Sequence, residues 1–346
     1  EGDLDGNNKG QNDIFITKYN SSGVEQWTIQ TGTINSDKAY GIVSDSSGNI
    51  YITGHTEGNL DGINQGQNDI FISKYNSSGV EQWTKQTGTT SNDESYGIAV
   101  DSSGNLYITG NTEGDLDSET NSGNNDIFLI KYDSSGTKQW SKLLGTSNDD
   151  NGYGVETDSN NNIYITGYTK GYLQSSDQDT NLGGNDIFLT KYDSSGTKHW
   201  TQMLGTTSDD LSYAVTIASN NGVYITGYTE GDLDGNTNSG SRDVFLTKYL
   251  TSGRKEWTRV LGSSDLDIAY AIDTDSDGSI YITGHTKGDL DSETNSGNND
   301  IFVSKYSIPT CSIVLSSDNI NEGDSFGATI TTTNIPNGTT LYWQLS

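Results

Sequence analysis

Short runs rich in Ile, Val, Tyr, Phe, Trp and Thr alternate along the chain with clusters of Ser, Asn, Asp and Gly. In one stretch the runs cover Asp69 to Tyr75, Val80 to Gln86, Tyr96 to Asp101 and Leu106 to Thr112. Runs of this length and composition, bounded by turn formers, predict β-strands. The intervening Asn-Ser-Ser-Gly and Asp-Ser-Ser-Gly segments tolerate positive φ and hydrogen-bond their own backbone, which predicts tight hairpins. No stretch sustains the period of an amphipathic helix.

The pattern repeats. A Lys-Tyr pair ends one run of each unit, at Tyr19, Tyr75, Tyr132, Tyr192, Tyr249 and Tyr306, giving a period near 57 residues. Tryptophans keep step at Trp27, Trp83, Trp140, Trp200 and Trp257, and Tyr-Ile-Thr-Gly recurs from Tyr51, Tyr107, Tyr164, Tyr224 and Tyr281. The 14 residues Asp115 to Phe128 return unchanged as Asp289 to Phe302, which marks duplication. Four strands per unit without helices suit either a β-propeller of four-stranded blades or a β-solenoid. Solenoid coils are usually shorter than this period, so the all-β propeller is the expected fold. One tryptophan per unit is then expected to anchor packing between adjacent blades, and the Lys-Tyr tyrosines likewise.

Only 30% of the 346 residues are hydrophobic and 42 are glycine, a composition that would suggest disorder without the periodic apolar islands. Forty-seven acidic against eighteen basic residues give a formal charge of −29, which repels nucleic acid and anionic membrane surfaces. Cys311 is the only cysteine, so no intrachain disulfide and no thiolate zinc site can form. His55, His199 and His285 are the only histidines. These residues include no apolar run long enough to span a membrane and no leader pattern.

The order Asn-Asp-Ile-Phe-x-x-Lys-Tyr, Ser-Ser-Gly, Trp, Leu-Gly-Thr, Tyr-Gly-Ile, Asp-Ser-Ser-Gly-Asn, Tyr-Ile-Thr-Gly resembles the bacterial β-propeller repeat family called SBBP, over about residues 1 to 306. The resemblance implies a propeller within large secreted or surface proteins and carries over no catalytic residues. By analogy with related propellers, strand A is the Tyr-Gly-Ile run lining a central channel, B the Tyr-Ile-Thr-Gly run, C the Asp-Ile-Phe run and D the outer tryptophan strand. On that assignment the chain opens inside a B–C loop and holds one C–D hairpin, four complete blades and an A–B–C set ending at Tyr306, touching at least six blades. Residues 1–306 form the propeller and 307–346 begin a second module, because the repeat stops and Pro309, Cys311 and Pro336 appear. Ile320 to Ser346 resembles the opening strands of a Calx-β-like or immunoglobulin-like sandwich, cut short. Alternatively, Ser312 to Leu315 supplies the outer strand of the last blade.

In such blades the D–A and B–C connections emerge on one face, which should be anionic. The B–C loops carry Asp3, Asp5, Asp61, Asp177 and Asp179 besides the sets below, and the D–A loops carry Asp37, Asp93, Glu94, Asp149, Asp150, Asp209, Asp210, Asp265 and Asp267. Three B–C loops have alternate oxygen donors closed by a carboxylate: Asp115, Asp117, Glu119 and Asp126; Asp232, Asp234, Asn236 and Asp243; Asp289, Asp291, Glu293 and Asp300. That spacing is how a hard Ca²⁺ ion is wrapped, although the loops lack the glycine, closing Glu and flanking helices of an EF-hand. Asp273, Asp275 and Asp277, followed by Gly278, form a second candidate, set against an ordinary A–B turn that has drifted. The residue after Tyr-Ile-Thr-Gly varies among His55, Asn111, Tyr168, Tyr228 and His285, as a sugar-binding surface would.

Paired carboxylates keep a propeller glycoside hydrolase or lyase in view. The acids nevertheless recur blade after blade, whereas a catalytic pair should break the pattern, and no nucleophile elbow, triad or phosphate loop is present. The expectation is therefore a non-catalytic, Ca²⁺-stabilised structural or adhesive module of a larger extracellular protein, on a bacterial surface or virus particle. Its partner would be a glycan, a protein with a cationic patch or a neighbouring subunit, with a lectin as the alternative.

Overall fold

The computed structural model describes residue 4, residues 8–173 and 183–307, and the backbone of two strands at 310–315 and 328–333. Blade 1 comprises strand C (Ile14–Tyr19) and strand D (Glu25–Thr31). Blade 2 runs A (Asp37–Ser44), B (Ile50–Thr56), C (Asp69–Tyr75) and D (Glu81–Thr87). Blade 3 runs A (Asp93–Val100), B (Leu106–Thr112), C (Asp126–Tyr132) and D (Lys138–Leu144). Blade 4 follows with A (Asp150–Thr157), B (Ile163–Thr169), C (Asp186–Tyr192) and D (Lys198–Leu204). Blade 5 has A (Asp210–Ile217), B (Gly222–Thr229), C (Asp243–Leu250) and D (Lys255–Leu261). Blade 6 has A (Asp267–Thr274), B (Ile280–Thr286) and C (Asp300–Tyr306). Within each sheet the strands lie in chain order and pair antiparallel. The expected propeller blades are thus present, and the expected series of one hairpin, four full sheets and one three-stranded sheet is what the pairing shows.

Two details differ from the sequence reading. Strand A of blade 3 begins at Asp93, not Tyr96, because Asp93 pairs with Thr112 across the sheet and buries its carboxyl, so a polar start masked the strand. Beyond the propeller, Thr310–Leu315 pairs with Ala328–Thr333 as its own hairpin and, among the described residues, does not join the sheet of blade 6. Most of the expected sandwich-like segment lies outside the described residues.

The turns work through local chemistry. In the C–D turn of blade 3, Asp133 Oδ1 accepts from the backbone N–H of Ser135 and Thr137 at 2.9 and 3.0 Å, and Gly136 takes φ +81°. In the A–B turn, Asp101 Oδ1 caps Ser103 and Asn105, while Oδ2 accepts the Tyr107 hydroxyl at 3.0 Å. One aspartate therefore fixes both a hairpin and the first tyrosine of Tyr-Ile-Thr-Gly.

Blades join along apolar seams. Ile127 and Leu129 of blade 3 pack with Val155, Ile163, Ile165 and Phe188 of blade 4. Each such buried side chain contributes roughly 1.5–3 kcal/mol of hydrophobic stabilisation. The Lys-Tyr lysine ties the seam's rim: Lys131 Nζ donates to the carbonyl of Ser194 in the next blade at 2.8 Å and lies over the Tyr107 ring. Trp140 stands 6.1 Å from Tyr107 and lies against Gly196 in the next blade's C–D turn, where a Cβ would come within 3.2 Å of the indole. The tryptophan is the inter-blade anchor that its period suggested.

Candidate functional site

Strands A of successive blades lie side by side and form the innermost layer. In every one of them the register slips by one residue opposite the glycine of Tyr-Ile-Thr-Gly. In blade 3, Ser95 faces Gly110 and Gly97 faces Thr109, so Tyr96 is the extra residue of a β-bulge. Tyr40, Tyr153, Tyr213 and Tyr270 occupy the same place in the other blades. A bulge re-aims the side chain it carries. It also forces the glycine: a Cβ on Gly110 would lie 1.9 Å from the carbonyl oxygen of Glu94, and Gly54, Gly167, Gly227 and Gly284 face the same obstruction.

The five bulged tyrosines form one row. Ring centroids are 5.3 Å apart for Tyr40 and Tyr96, 5.1 Å for Tyr96 and Tyr153, 5.2 Å for Tyr153 and Tyr213, and 5.2 Å for Tyr213 and Tyr270. The variable residues after Tyr-Ile-Thr-Gly join it: His55 against Tyr40, Tyr168 against Tyr153, Tyr228 against Tyr213 and His285 against Tyr270. Asn111 instead donates to Asn125 Oδ1 at 3.0 Å. The Tyr40 and Tyr270 rings at the ends of the row are half exposed.

Polar groups interleave with the rings. Glu94 accepts the Tyr96 hydroxyl and, at 2.8 Å, the Asn68 amide. His55 lies 3.8 Å from Glu94, and burial holds its pKa below that of an ordinary imidazole despite that carboxylate. Asn151 donates to the Tyr168 hydroxyl at 2.8 Å. The Arg242 guanidinium sits 4.2 Å from the centre of the Tyr228 ring and is held by Glu230 at 2.8 Å. The row therefore already accommodates one guanidinium, through a cation–π contact backed by a carboxylate.

The B–C and D–A loops do share a face, since Glu113 N–H donates to the Asn92 carbonyl and Lys170 N–H to that of Asp149. Asp37, Asp93, Asp150, Asp210 and Asp267 are not loop acids on that face; they are buried first residues of strand A. Burial raises the pKa of Asp93, Asp150 and Asp210, and also that of Asp126 and Asp243 at the start of strand C. Asp3, Asp5, Asp177 and Asp179 lie outside the described residues.

The three spaced oxygen sets are dispersed rather than gathered. Asp115 accepts the Asn121 N–H at 2.9 Å, Asp117 pairs with Lys138, Glu119 pairs with Lys142 at 2.8 Å, and Asp126 turns into the seam to accept the Ser122 N–H at 2.8 Å. Asp232 accepts from Asn238, Asp234 pairs with Lys255, Asn236 donates to the Leu233 carbonyl, and Asp243 accepts from Ser239. In blade 6, Asp289 accepts from Asn295 and Asp300 from Ser296, while Leu290 and Glu293 bridge through their backbones and Asp291 takes φ +52°. Asp275 repeats the A–B turn role of Asp101, accepting from Asp277, Ser279 and the Tyr281 hydroxyl, and Asp273 caps Thr274. Among the described residues no three His, Cys, Asp or Glu side chains come together as a metal site. In this arrangement the donors are spread over separate hydrogen bonds and ion pairs, whereas a wrapped Ca²⁺ ion draws six to eight oxygens together.

Sequence reasoning placed the strand A run on the channel but did not single out its tyrosine as a surface. The signal was available: Tyr40, Tyr96, Tyr153, Tyr213 and Tyr270 recur with the same period as the anchors.

Among curated proteins, the chain is 26% identical over 185 residues to the regulatory protein FlaEY of Caulobacter vibrioides, a match covering 47% of this chain and 19% of that protein. It is 26% identical over 199 residues to an uncharacterized WD repeat-containing protein of Acanthamoeba polyphaga mimivirus, covering 47% of this chain and 14% of that one. The chain thus spans less than a fifth of either relative. Among solved structures, a protein of unknown function from Bacteroides caccae aligns with a TM-score of 0.46 at 10% identity, over 80% of this chain and 81% of that one. A luciferin-regenerating enzyme aligns at 0.38 and 12% identity, over 77% of this chain and 90% of its own. A Hadza microbial sialidase aligns at 0.30 and 11% identity, over 77% and 65% respectively. Residues 26–61, 82–117, 139–173 and 256–291 each match the family model described as the SBBP beta-propeller repeat, so the chain carries four copies of that repeat and, with the blade geometry above, is a β-propeller repeat protein.

Proposed function

We propose that this propeller is a non-catalytic binding module of a larger extracellular protein, on a bacterial surface or a virus particle. Its ligand face is the tyrosine row of strands A, and its ligand is a cationic segment of a protein partner. The observation that supports this reading is the seating of Arg242 on Tyr228 with Glu230 behind it, which is how a row of rings and carboxylates receives a cation. Glu94 beside Tyr96 repeats the ring-and-acid arrangement without a guanidinium. The charge of −29 would steer a basic partner toward the module and keep polyanions away.

A second reading, a lectin, draws on the variable partners of the row, His55, Tyr168, Tyr228 and His285, since tilted aromatic faces also stack on sugar rings. Calorimetric titration with an Arg/Lys-rich peptide and with neutral oligosaccharides separates the two. The cationic reading expects saturable, salt-sensitive peptide binding that Tyr96→Ala with Tyr153→Ala abolishes. Binding of a neutral oligosaccharide alone, lost in the same variant, would replace it with the lectin. Turnover of a glycoside would overturn the non-catalytic reading.

A further inference from the structure

Blade 5 supplies its own guanidinium to the ring row. Arg242, the residue before strand C, lies over the Tyr228 ring and is held by Glu230. The register is the same in blade 2, where Thr56 pairs with Asp69 as Thr229 pairs with Asp243. The blade 2 counterparts of Arg242, Tyr228 and Glu230 are therefore Asn68, His55 and Glu57. Blade 2 keeps an aromatic ring and the carboxylate but has a short neutral amide where blade 5 has the cation.

The groups beside that amide are acceptors. Glu94 takes one hydrogen bond from Asn68 at 2.8 Å and another from the Tyr96 hydroxyl. His55 is 3% exposed, and its Nδ1 lies 3.8 Å from Glu94 with no hydrogen-bond partner among the described residues. Burial keeps this imidazole neutral, and a neutral imidazole accepts at one nitrogen. Asn111, 5% exposed, stands opposite Glu94 across the strand pair, and its Oδ1 is likewise buried without a donor. Residues so paired share one face of the sheet with their Cβ atoms about 5 Å apart. Two buried acceptors without donors next to one carboxylate are uncommon in a folded protein, and they call for a group rich in N–H donors. Lys38, opposite His55, is exposed.

We infer that an arginine side chain of the cationic partner docks where blades 2 and 3 meet, donating to Glu94, His55 Nδ1 and Asn111 Oδ1 against the Tyr40 and Tyr96 rings. The inference rests on the reading of the row as a cation-binding face and narrows it to one residue type at one place. Arginine takes over from the Asn68 amide at Glu94, exchanging one neutral donor for a charged, planar fork of five. Glu57 stands beside it as Glu230 stands beside Arg242. The planar guanidinium also stacks on aromatic rings, which the compact ammonium of lysine does not, and the Tyr40 and Tyr96 centroids are 5.3 Å apart.

Calorimetric titration with an arginine-rich peptide and with its lysine-for-arginine counterpart tests it. The wild-type protein should bind the arginine peptide more tightly than the lysine one. Glu94→Gln keeps an acceptor for Tyr96 and Asn68 but removes the charge, and should weaken the arginine peptide about tenfold or more. Asn68→Arg should abolish binding at this place, because the chain then fills it as Arg242 does in blade 5. Lys38→Ala should not weaken binding. Thermal melts establish that the variants are folded, and Glu94→Gln decides the matter by itself if Asn68→Arg does not fold. Arginine-peptide binding that needs Tyr96 and Tyr153 but is unchanged in Glu94→Gln or in folded Asn68→Arg overturns this inference and leaves the cationic reading standing, as does equal affinity for the two peptides. No binding of either peptide overturns both.

Discussion

The Cβ position of Gly110 lies 1.9 Å from the carbonyl oxygen of Glu94, so the glycine of Tyr-Ile-Thr-Gly is what permits the bulge that turns Tyr96 into the ring row. Gly110→Ala must push the two strands apart or iron out the bulge. A loss of about 2 kcal/mol or more is expected, in the range of overpacked or strained sites, together with a changed near-ultraviolet tyrosine spectrum. Urea unfolding of the variant checks it; a midpoint equal to wild type would show that the bulge does not depend on the glycine.

Asp126 and Asp150 meet at the seam of blades 3 and 4 with unequal partners. Asp150 Oδ2 accepts the Thr146 N–H at 2.6 Å and its hydroxyl at 2.9 Å, while Oδ1 accepts the Thr169 hydroxyl. Asp126 Oδ1 is buried without a donor, and burial, then the charge of Asp150, raises its pKa. Asp150→Asn should therefore cost about 1–3 kcal/mol, because buried donors lose their acceptor. Asp126→Asn should be neutral or stabilising at pH 7. Chemical denaturation of both variants distinguishes the two roles, and equal losses would contradict the assignment.

Glu156, half-buried in strand A of blade 4, has its pKa pushed up to about 7 by burial, with a smaller contribution from Asp273. Its ordinary value is 4.5, so the folded state holds the proton more tightly than the unfolded state does. Stability from this group is intact below that ordinary value and is lost as pH rises toward 7. Glu156→Gln should gain about 1–2 kcal/mol over wild type in mildly alkaline buffer and nothing in acid. Melting curves of the pair across pH would refute this if they ran parallel.

The loop carboxylates are held by lysines and backbone N–H groups rather than by one another. Melts in millimolar CaCl₂ and in EDTA should accordingly differ by less than about 1 °C. A rise of several degrees with saturable binding heat would mean that the loops reorganise around the ion.

Much of the propeller was legible because its signals are local. The apolar runs, the Asx turns at Asp101 and Asp133, and the tryptophan period all act within one unit or against an identical neighbour. The Ca²⁺ spacing left out how those donors are held, for a related reason. Asp115, Asp117 and Glu119 have loop spacing, but Lys138 and Lys142 approach from strand D some 20 residues later, and no local pattern announces that pairing. Asp93 and Asp150 looked like surface acids because acidity is read residue by residue, whereas they are buried where their N–H groups donate to the Asn68 and Asn125 carbonyls of the preceding blade.

The amino-acid sequence by itself determined the strands, their hairpins, the blade period and the anchors. Each is set by backbone propensity and by side chains within one repeat, so copying the repeat copies the structure. Only the tertiary structure decided which residues became a surface. A one-residue bulge aligned tyrosines from five strands into a row, and the packing of blade 4 on blade 3 made Ile127 and Leu129 core. The physical reason is that burial and ring stacking belong to pairs of blades and not to a single repeat.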